Sequence, residues 1–299
     1  MCSFDLIKNH CEWGSNRYTF FIGRNKVELK TILEQANAIL KSAGVHDARE
    51  AEWVVSLSLG IHMSKLFQIK SVSEMQAQKV LENAKKRADG VPLAYIIGNS
   101  EFFGRTFDVS PQTLVPRPET ELLVEEVVKI AREENVGDIL DIGTGSGAIA
   151  VTLALETTAN VTAVDISEGA LGVAKKNAEK LGASVKFVHS NLFENVEGVF
   201  DIIVSNPPYI KSSVIPTLDI EVKNHEPILA LDGGEDGLDF YRKIIAEAPK
   251  FLKVNGVLAF EIGYDQGAEL GALLQKDFEN IRVIKDYNKL DRIVIANKR

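Results

Sequence analysis

Asn206, Pro207, Pro208 and Tyr209 stand together directly after the apolar run 200–205, and the chemistry these residue types can do is to hold and aim a nitrogen. An amide nitrogen is a poor nucleophile because its lone pair is delocalised into the carbonyl. The side-chain oxygen of Asn206 and the main-chain carbonyl of Pro207 can accept the two N–H bonds of a primary amide, which fixes the nitrogen and favours tetrahedral character. The prolines hold φ and bring no competing N–H. Tyr209 offers an aromatic face to a flat amide and to a cationic methyl donor. The plainer reading is a proline pair that stops a strand and a half-buried ring.

A second cluster lies upstream. Asp141, Ile142, Gly143, Thr144, Gly145, Ser146, Gly147 and Ala148 follow one another at the end of an apolar run. Glycines there permit a tight turn from strand to helix and let a ligand lie against the main chain. From Gly143 onward the spacing fits the dinucleotide fingerprint, and Asp165 follows at about the expected twenty residues. Asp165 can accept ribose hydroxyl protons, which serves NAD and S-adenosylmethionine alike. Its alternative role is to cap the helix opening near position 168, although Ser167 is better placed for that. Asp141 either holds the ammonium group of a methionine moiety or caps loop amides. The Asn206 cluster decides between the two ligands, because hydride transfer has no use for it and methyl transfer to an amide or amino nitrogen does.

These clusters need elements to position them. From residue 119 onward apolar strands and helical patterns alternate, with strands expected over 138–142, 161–165, 185–188, 200–205, 256–262, 283–284 and 292–296 and helices over 121–130 and 168–181. Such alternation implies an α/β fold: a doubly wound, mostly parallel sheet of seven strands whose carboxyl ends face the ligand crevice. The last two strands lie too close together for a crossover and are expected to pair antiparallel.

Upstream, Ile32, Leu33, Ala36, Ile39, Leu40 and Ala43 recur at helical spacing and Gly44 ends the run. Asp47 with Glu50, and Ser73 with Gln76, read as capping boxes for two further helices. These make a small helical domain, 27–91, followed over 92–118 by a β-hairpin connector with extended segments at 95–97, 101–103 and 106–109. Residues 1–26 read as a tail, and a valine at position 27 allows translation to begin there, because valine codons include a common bacterial alternative start.

The chain has 299 residues, of which 45% are apolar and 25% charged, enough to bury a sizeable core. Its net charge of -8 disfavours a sequence-independent nucleic-acid binder, which needs a basic surface to displace counterions. The short basic run Lys85, Lys86, Arg87 reads as a solvated helix face. Two cysteines, Cys2 and Cys11, are too few for a disulfide framework or an all-cysteine zinc site; His10 offers a third ligand, and the plainer reading is a near-terminal accident. No apolar run approaches the roughly 18–20 residues of a membrane span, and Asp5, Lys8 and Glu12 interrupt any secretory signal, so a cytoplasmic location without a membrane partner is expected.

The sequence also resembles a known family, the release factor glutamine methyltransferases, from about Val27 to the end. The resemblance is carried by 92–98, 101–104, 115–121, the glycine loop, the Asn206 cluster and 230–238. It implies a class I methyltransferase that takes S-adenosylmethionine, yields S-adenosylhomocysteine and uses no metal. Its implied substrate is the glutamine of the Gly-Gly-Gln motif of class I peptide chain release factors. It further implies that Gly143 to Gly147, Asp165 and the pair Asn191 and Leu192 bind the cosubstrate, that Asn206 to Tyr209 hold the glutamine, that Arg117 sits at the site mouth, and that the helical domain docks the factor. The plainer reading of Arg117 is a surface arginine in a proline-rich connector.

Two residues depart from the family pattern. Asn191 stands where an aspartate usually accepts the adenine amino proton, and an asparagine oxygen accepts without charge assistance. His225 replaces an aromatic ring, and a packing or surface role is expected for it. Because the Asn206 motif is shared with enzymes acting on ribosomal protein glutamine and on adenine in DNA or RNA, those substrates are the alternatives. Loss of Asn206 or of a loop glycine would have marked a non-catalytic binding module, and neither is lost.

Overall fold

The computed structural model describes residues 26–47 and 49–299. The readings made for the leading segment, including Cys2, His10 and Cys11, lie outside the described residues.

The chain opens with β1 (Lys26–Glu28), α1 (Leu29–Ser42), α2 (Glu50–Ser58), β2 (Ser71–Ser73) and α3 (Glu74–Ala88). Leu29, Ile32, Ala36 and Leu40 line one face of α1 and meet Val54, Val55, Val80 and Ala84 in a core separate from the rest. The expected capping box forms at Ser73 and Gln76. The one expected at Asp47 does not: the Asp47 carboxylate accepts the amide of Arg49 at 2.8 Å, and α2 starts after Arg49 with no side-chain cap. Arg87 is no solvated residue either, for it pairs with Glu50 of α2 and is 15% exposed.

Residues 95–97 are helical rather than extended. Pro92 precedes a short α4 (Leu93–Ile97), which Gly98 closes at φ 86. A proline before a helix and a left-handed glycine after it are start and stop signals, and here they outweigh the β propensity of Tyr95, Ile96 and Ile97. The hairpin itself is present, as β3 (Asn99–Phe102) against β4 (Arg105–Asp108).

The remainder runs α5 (Pro118–Glu133), β5 (Asp138–Ile142), α6 (Ala148–Glu156), β6 (Asn160–Asp165), α7 (Glu168–Leu181), β7 (Val185–His189), β8 (Phe200–Ser205), α8 (Ile220–His225), α9 (Asp239–Phe251), β9 (Leu252–Glu261), α10 (Gly267–Leu274), β10 (Phe278–Lys285) and β11 (Asp291–Lys298). The seven strands from β5 onward form one sheet of order β10-β11-β9-β8-β5-β6-β7. Pairing is parallel from β7 through β9 and antiparallel at β11 and β10. Successive strands run outward from β5 to β7, and the chain then returns to place β8 on the other side of β5. That reversal opens a crevice at the carboxyl ends, where ligands bind in such sheets.

Strand alternation sorts the two faces. Ile139, Ile202, Val204, Val257 and Ala259 pack under α5 and α6, while Leu140, Ile142, Ile203, Leu258 and Phe260 pack under α9 and α10. The same parity sends Asp141 and Glu261 to the α5 and α6 side. No described helix is long and apolar enough to cross a membrane.

Candidate active site

The loop after β5 is held by its neighbours. The amides of Gly143 and Thr144 both reach the carbonyl of Val164 on β6, at 2.9 and 3.0 Å. Asn177 of α7, fully buried, donates to the carbonyls of Ser146 and Asp108, each at 2.9 Å, and so ties the loop to the hairpin. The Asp165 carboxylate accepts the amides of Gly145 at 2.9 Å and Ser167 at 2.8 Å, while Ser167 caps α7 through the amide of Ala170. Asp165 is thus a loop anchor at the cleft wall with one lone pair per oxygen to spare, and burial raises its pKa.

Asp141 lies beneath the loop, fully buried, and neither of its oxygens nor the hydroxyl of Thr144 has a hydrogen-bond partner. Burial pushes its carboxyl up to about 7, offset in part by the dipoles of Thr144 and Ala150 and reinforced by the nearby Asp165. It lies under the cleft floor and is not among the residues that line it.

A cleft of about 310 Å³ opens above these residues. Gly143, Thr144, Gly145, Ser146, Asp165, Asn191, Leu192, Asn206, Pro207, Pro208 and Arg117 line it; Asp141, Gly147 and Tyr209 do not. Gly147 is turned to α7, where an added Cβ would stand 3.0 Å from that of Ala174. Asn191 donates to Glu194 at 2.8 Å, which leaves its oxygen free to accept. Leu192 is held at φ 51, a conformation that costs a leucine about 1 kcal/mol or more and is kept where a site requires it.

At the end of β8 the Nδ2 of Asn206 lies 3.3 Å from the hydroxyl oxygen of Thr120, the third residue of α5. Thr120 donates to Glu261 at 2.6 Å. Tyr209 turns its ring onto the core beneath α9, its hydroxyl 3.4 Å from the other oxygen of Glu261. Its ring packs on the apolar bed under α9 and is not among the residues that line the cleft. Segment 230–238 closes against this turn: Ile210 bridges to Asp232, and a Cβ at Gly233 would stand 2.8 Å from the carbonyl of Pro208.

Arg117 pairs with Glu226 at 2.6 Å; the carboxylate side chain is 1% exposed against 38% for the arginine. Arg117 is therefore an anchored residue of the rim. His225 lies against Gly90 of the helical part and does not line the cleft. Thr120, Glu226 and Glu261 were not singled out in the sequence. A signal existed for Glu261, an isolated acid ending the apolar run 256–260 on the ligand-facing edge.

The family model of a methyltransferase small domain matches residues 118–221, and that of the PrmC N-terminal domain matches residues 31–98. A release factor glutamine methyltransferase of Bacillus cereus is 41% identical over 276 residues, 88% of this chain and 97% of its own. One from Bacillus subtilis is 41% identical over 283 residues, covering 90% of this chain and 98% of its own. This chain belongs to the release factor glutamine methyltransferase family. As a member, it is an S-adenosylmethionine-dependent methyltransferase. The hMettl16 catalytic domain, solved with an RNA hairpin, shares the fold alone, at 17% identity and TM-score 0.53 over 75% of this chain and 82% of its own.

The cleft of this release factor glutamine methyltransferase family member fits that cosubstrate. At Gly143 and Gly145 an added Cβ would meet no heavy atom within 4 Å, so the backbone lies open to a ligand. The unpaired carboxylate of Asp141 just beneath suits a ligand that carries positive charge.

Proposed function

We propose that the protein methylates the side-chain amide nitrogen of the glutamine in the Gly-Gly-Gln motif of a class I peptide chain release factor, in the cytoplasm. The observation that carries the chemistry is Asn206. Its nitrogen is committed to Thr120, and its oxygen is left to accept in a cleft shared with the glycine loop and Asp165.

When bound, S-adenosylmethionine supplies an electrophilic methyl group on a sulfonium. In our reading the loop 143–147, Asp165, Asn191 and Leu192 hold it by backbone approach, ribose hydroxyls and adenine edge. Asn206 and the carbonyl of Pro207 accept the two N–H bonds of the glutamine amide, draw its lone pair out of conjugation and meet the positive charge that grows on the nitrogen, which is discharged when one of those two protons leaves to water. Pro208 walls the nitrogen in, and Tyr209 supports the turn from behind. Arg117, anchored on Glu226, stands where the substrate loop enters. The helical part, 27–91, is the surface we assign to docking the factor, with 92–118 as its connector and 119–299 as the transfer domain.

The test is methyl transfer from labelled S-adenosylmethionine to a purified release factor, to the same factor with its Gly-Gly-Gln glutamine changed to alanine, to ribosomal protein, and to unmethylated DNA and RNA. Label in the intact factor alone is expected. Label in ribosomal protein or nucleic acid would keep the chemistry and overturn the substrate.

A further inference from the structure

The transfer just described gives no part to a buried carboxyl beside Asn206. Glu261 is 1% exposed at the end of β9, and Thr120, which joins it to Asn206, is 5% exposed. The sheet brings them together. Ser205 of β8 pairs with Phe260 of β9, so the next residue of each strand, Asn206 and Glu261, emerges toward the start of α5, where Thr120 sits.

Resting on the reading of Asn206 as acceptor of the substrate amide, we infer that Thr120 and Glu261 are positioning residues that set which end of the Asn206 side chain faces the substrate. The two ends of an asparagine amide are nearly the same shape, so packing alone does not choose between them. Hydrogen-bond direction does. An ionised carboxylate has no proton to give, so Thr120 must donate to it, as its 2.6 Å contact with Glu261 requires. The hydroxyl proton is then spent, and toward Asn206 the oxygen of Thr120 can only accept. The NH₂ end of Asn206 satisfies it, at 3.3 Å, and the oxygen is turned outward. With the amide reversed, two acceptors would face each other at Thr120 and an N–H would point at the N–H bonds of the substrate.

The chain of direction depends on charge at Glu261. The groups facing that carboxyl are Thr120 and Glu119 from α5, Arg292 from β11 and the hydroxyl of Tyr209, while Tyr241 of α9 donates to its main-chain oxygen at 2.7 Å. Burial pushes the carboxyl up to about 6, against the opposing pull of Thr120, Arg292 and Tyr209. Once protonated, Glu261 can donate to Thr120, whose own proton is then free to turn to Asn206. Turnover falls on the acid side of that value as a result.

The experiment compares Thr120→Val, Thr120→Ser, Glu261→Gln and the Thr120→Val/Glu261→Gln double variant with the parent. It reads kcat against pH, S-adenosylmethionine affinity by calorimetry, and the side-chain amide resonances of Asn206 in isotope-labelled protein. Thr120→Val is expected to lower kcat about tenfold or more, as loss of an orienting partner does elsewhere, with cosubstrate affinity unchanged within about twofold. Thr120→Ser restores the rate. The acid limb near pH 6 disappears in Thr120→Val, and the double variant is no slower than Thr120→Val, because the chain is already cut. Additive losses, a retained acid limb, or a serine variant no better than valine would each overturn the inference.

The Asn206 resonances are read without acceptor. They are expected to move with pH near 6 in the parent and not in Thr120→Val, and resonances that ignore both would also overturn it. A parent enzyme that fails to methylate a release factor would instead remove the substrate reading and leave this test standing. Should Glu261→Gln fail to fold, the Thr120 pair decides alone.

Discussion

At the level of single residues, the site depends on a few polar atoms whose partners are fixed before any substrate arrives. Asn206→Ala removes the group we propose as acceptor for the substrate amide, and a loss of about a hundredfold in turnover is expected, with the fold intact by circular dichroism. Turnover that survives in a folded variant would refute the role of Asn206. Burial holds the Asp141 carboxyl up, to about 7. A cationic ligand above it favours the ionised form, so affinity for S-adenosylmethionine is expected to weaken as pH falls from about 8 to about 6, and Asp141→Asn is expected to flatten that dependence in calorimetric titrations. Between about pH 4 and 7 the folded state keeps a proton that the unfolded carboxyl, at 3.8, has already released. Its stabilising contribution is therefore full at acid pH and is lost as pH rises through the window from about 4 to about 7. That Asn206, Pro207 and Asp165 share one cleft was legible, because their types and their places at strand ends mark them. Thr120 and Glu261, 141 residues apart, were not, because a hydrogen bond between a helix start and a strand end leaves no local pattern.

The elements explain why these atoms stay where they are. The turn into α6 depends on Gly147, which sits at φ 83 with Ala174 against its open side. Gly147→Ala combines a left-handed alanine with a tight contact, and a loss of about 1–3 kcal/mol is expected, read as a lower denaturant midpoint at unchanged slope. A midpoint equal to the parent's would show that α7 yields more readily than its packing suggests. Strands β5 and β8 and helix α7 were legible to the residue, since each is an apolar run or helical period bounded by strong signals. Helix α4 was misread as extended because its five residues are β-branched or aromatic in part, and so short a stretch has no period to argue otherwise. The turn at Tyr209 was legible, but the direction of its ring was not; the bed under α9 that receives the ring is built from residues far along the chain.

For the molecule as a whole, the helical part and the sheet meet through charge. Arg87 of α3 reaches Glu50 of α2 and Glu221 of α8, the latter at 2.6 Å, and so links the helical core to the segment beside Glu226 and Arg117. Arg87→Ala leaves both carboxylates unpaired, and on the order of 1–2 kcal/mol is expected to be lost, discounted for the exposure of Glu221. The KM for the protein substrate should rise more than that for S-adenosylmethionine; an equal rise in both would deny the link a part in docking. The sequence by itself determined the alternating fold, the crevice at the carboxyl ends of the strands, the turn at Asn206 and the glycine loop. Each of these is written in residues close together, through periodicity, glycine conformation and side-chain chemistry. Only the tertiary structure decided that Glu261 and Thr120 stand behind Asn206, that Asp141 is sealed without a partner, that Tyr209 faces inward and that Arg87 and Arg117 are anchored. Those outcomes depend on sheet order and strand register, which bring distant residues to bonding distance and decide which charges lose their water.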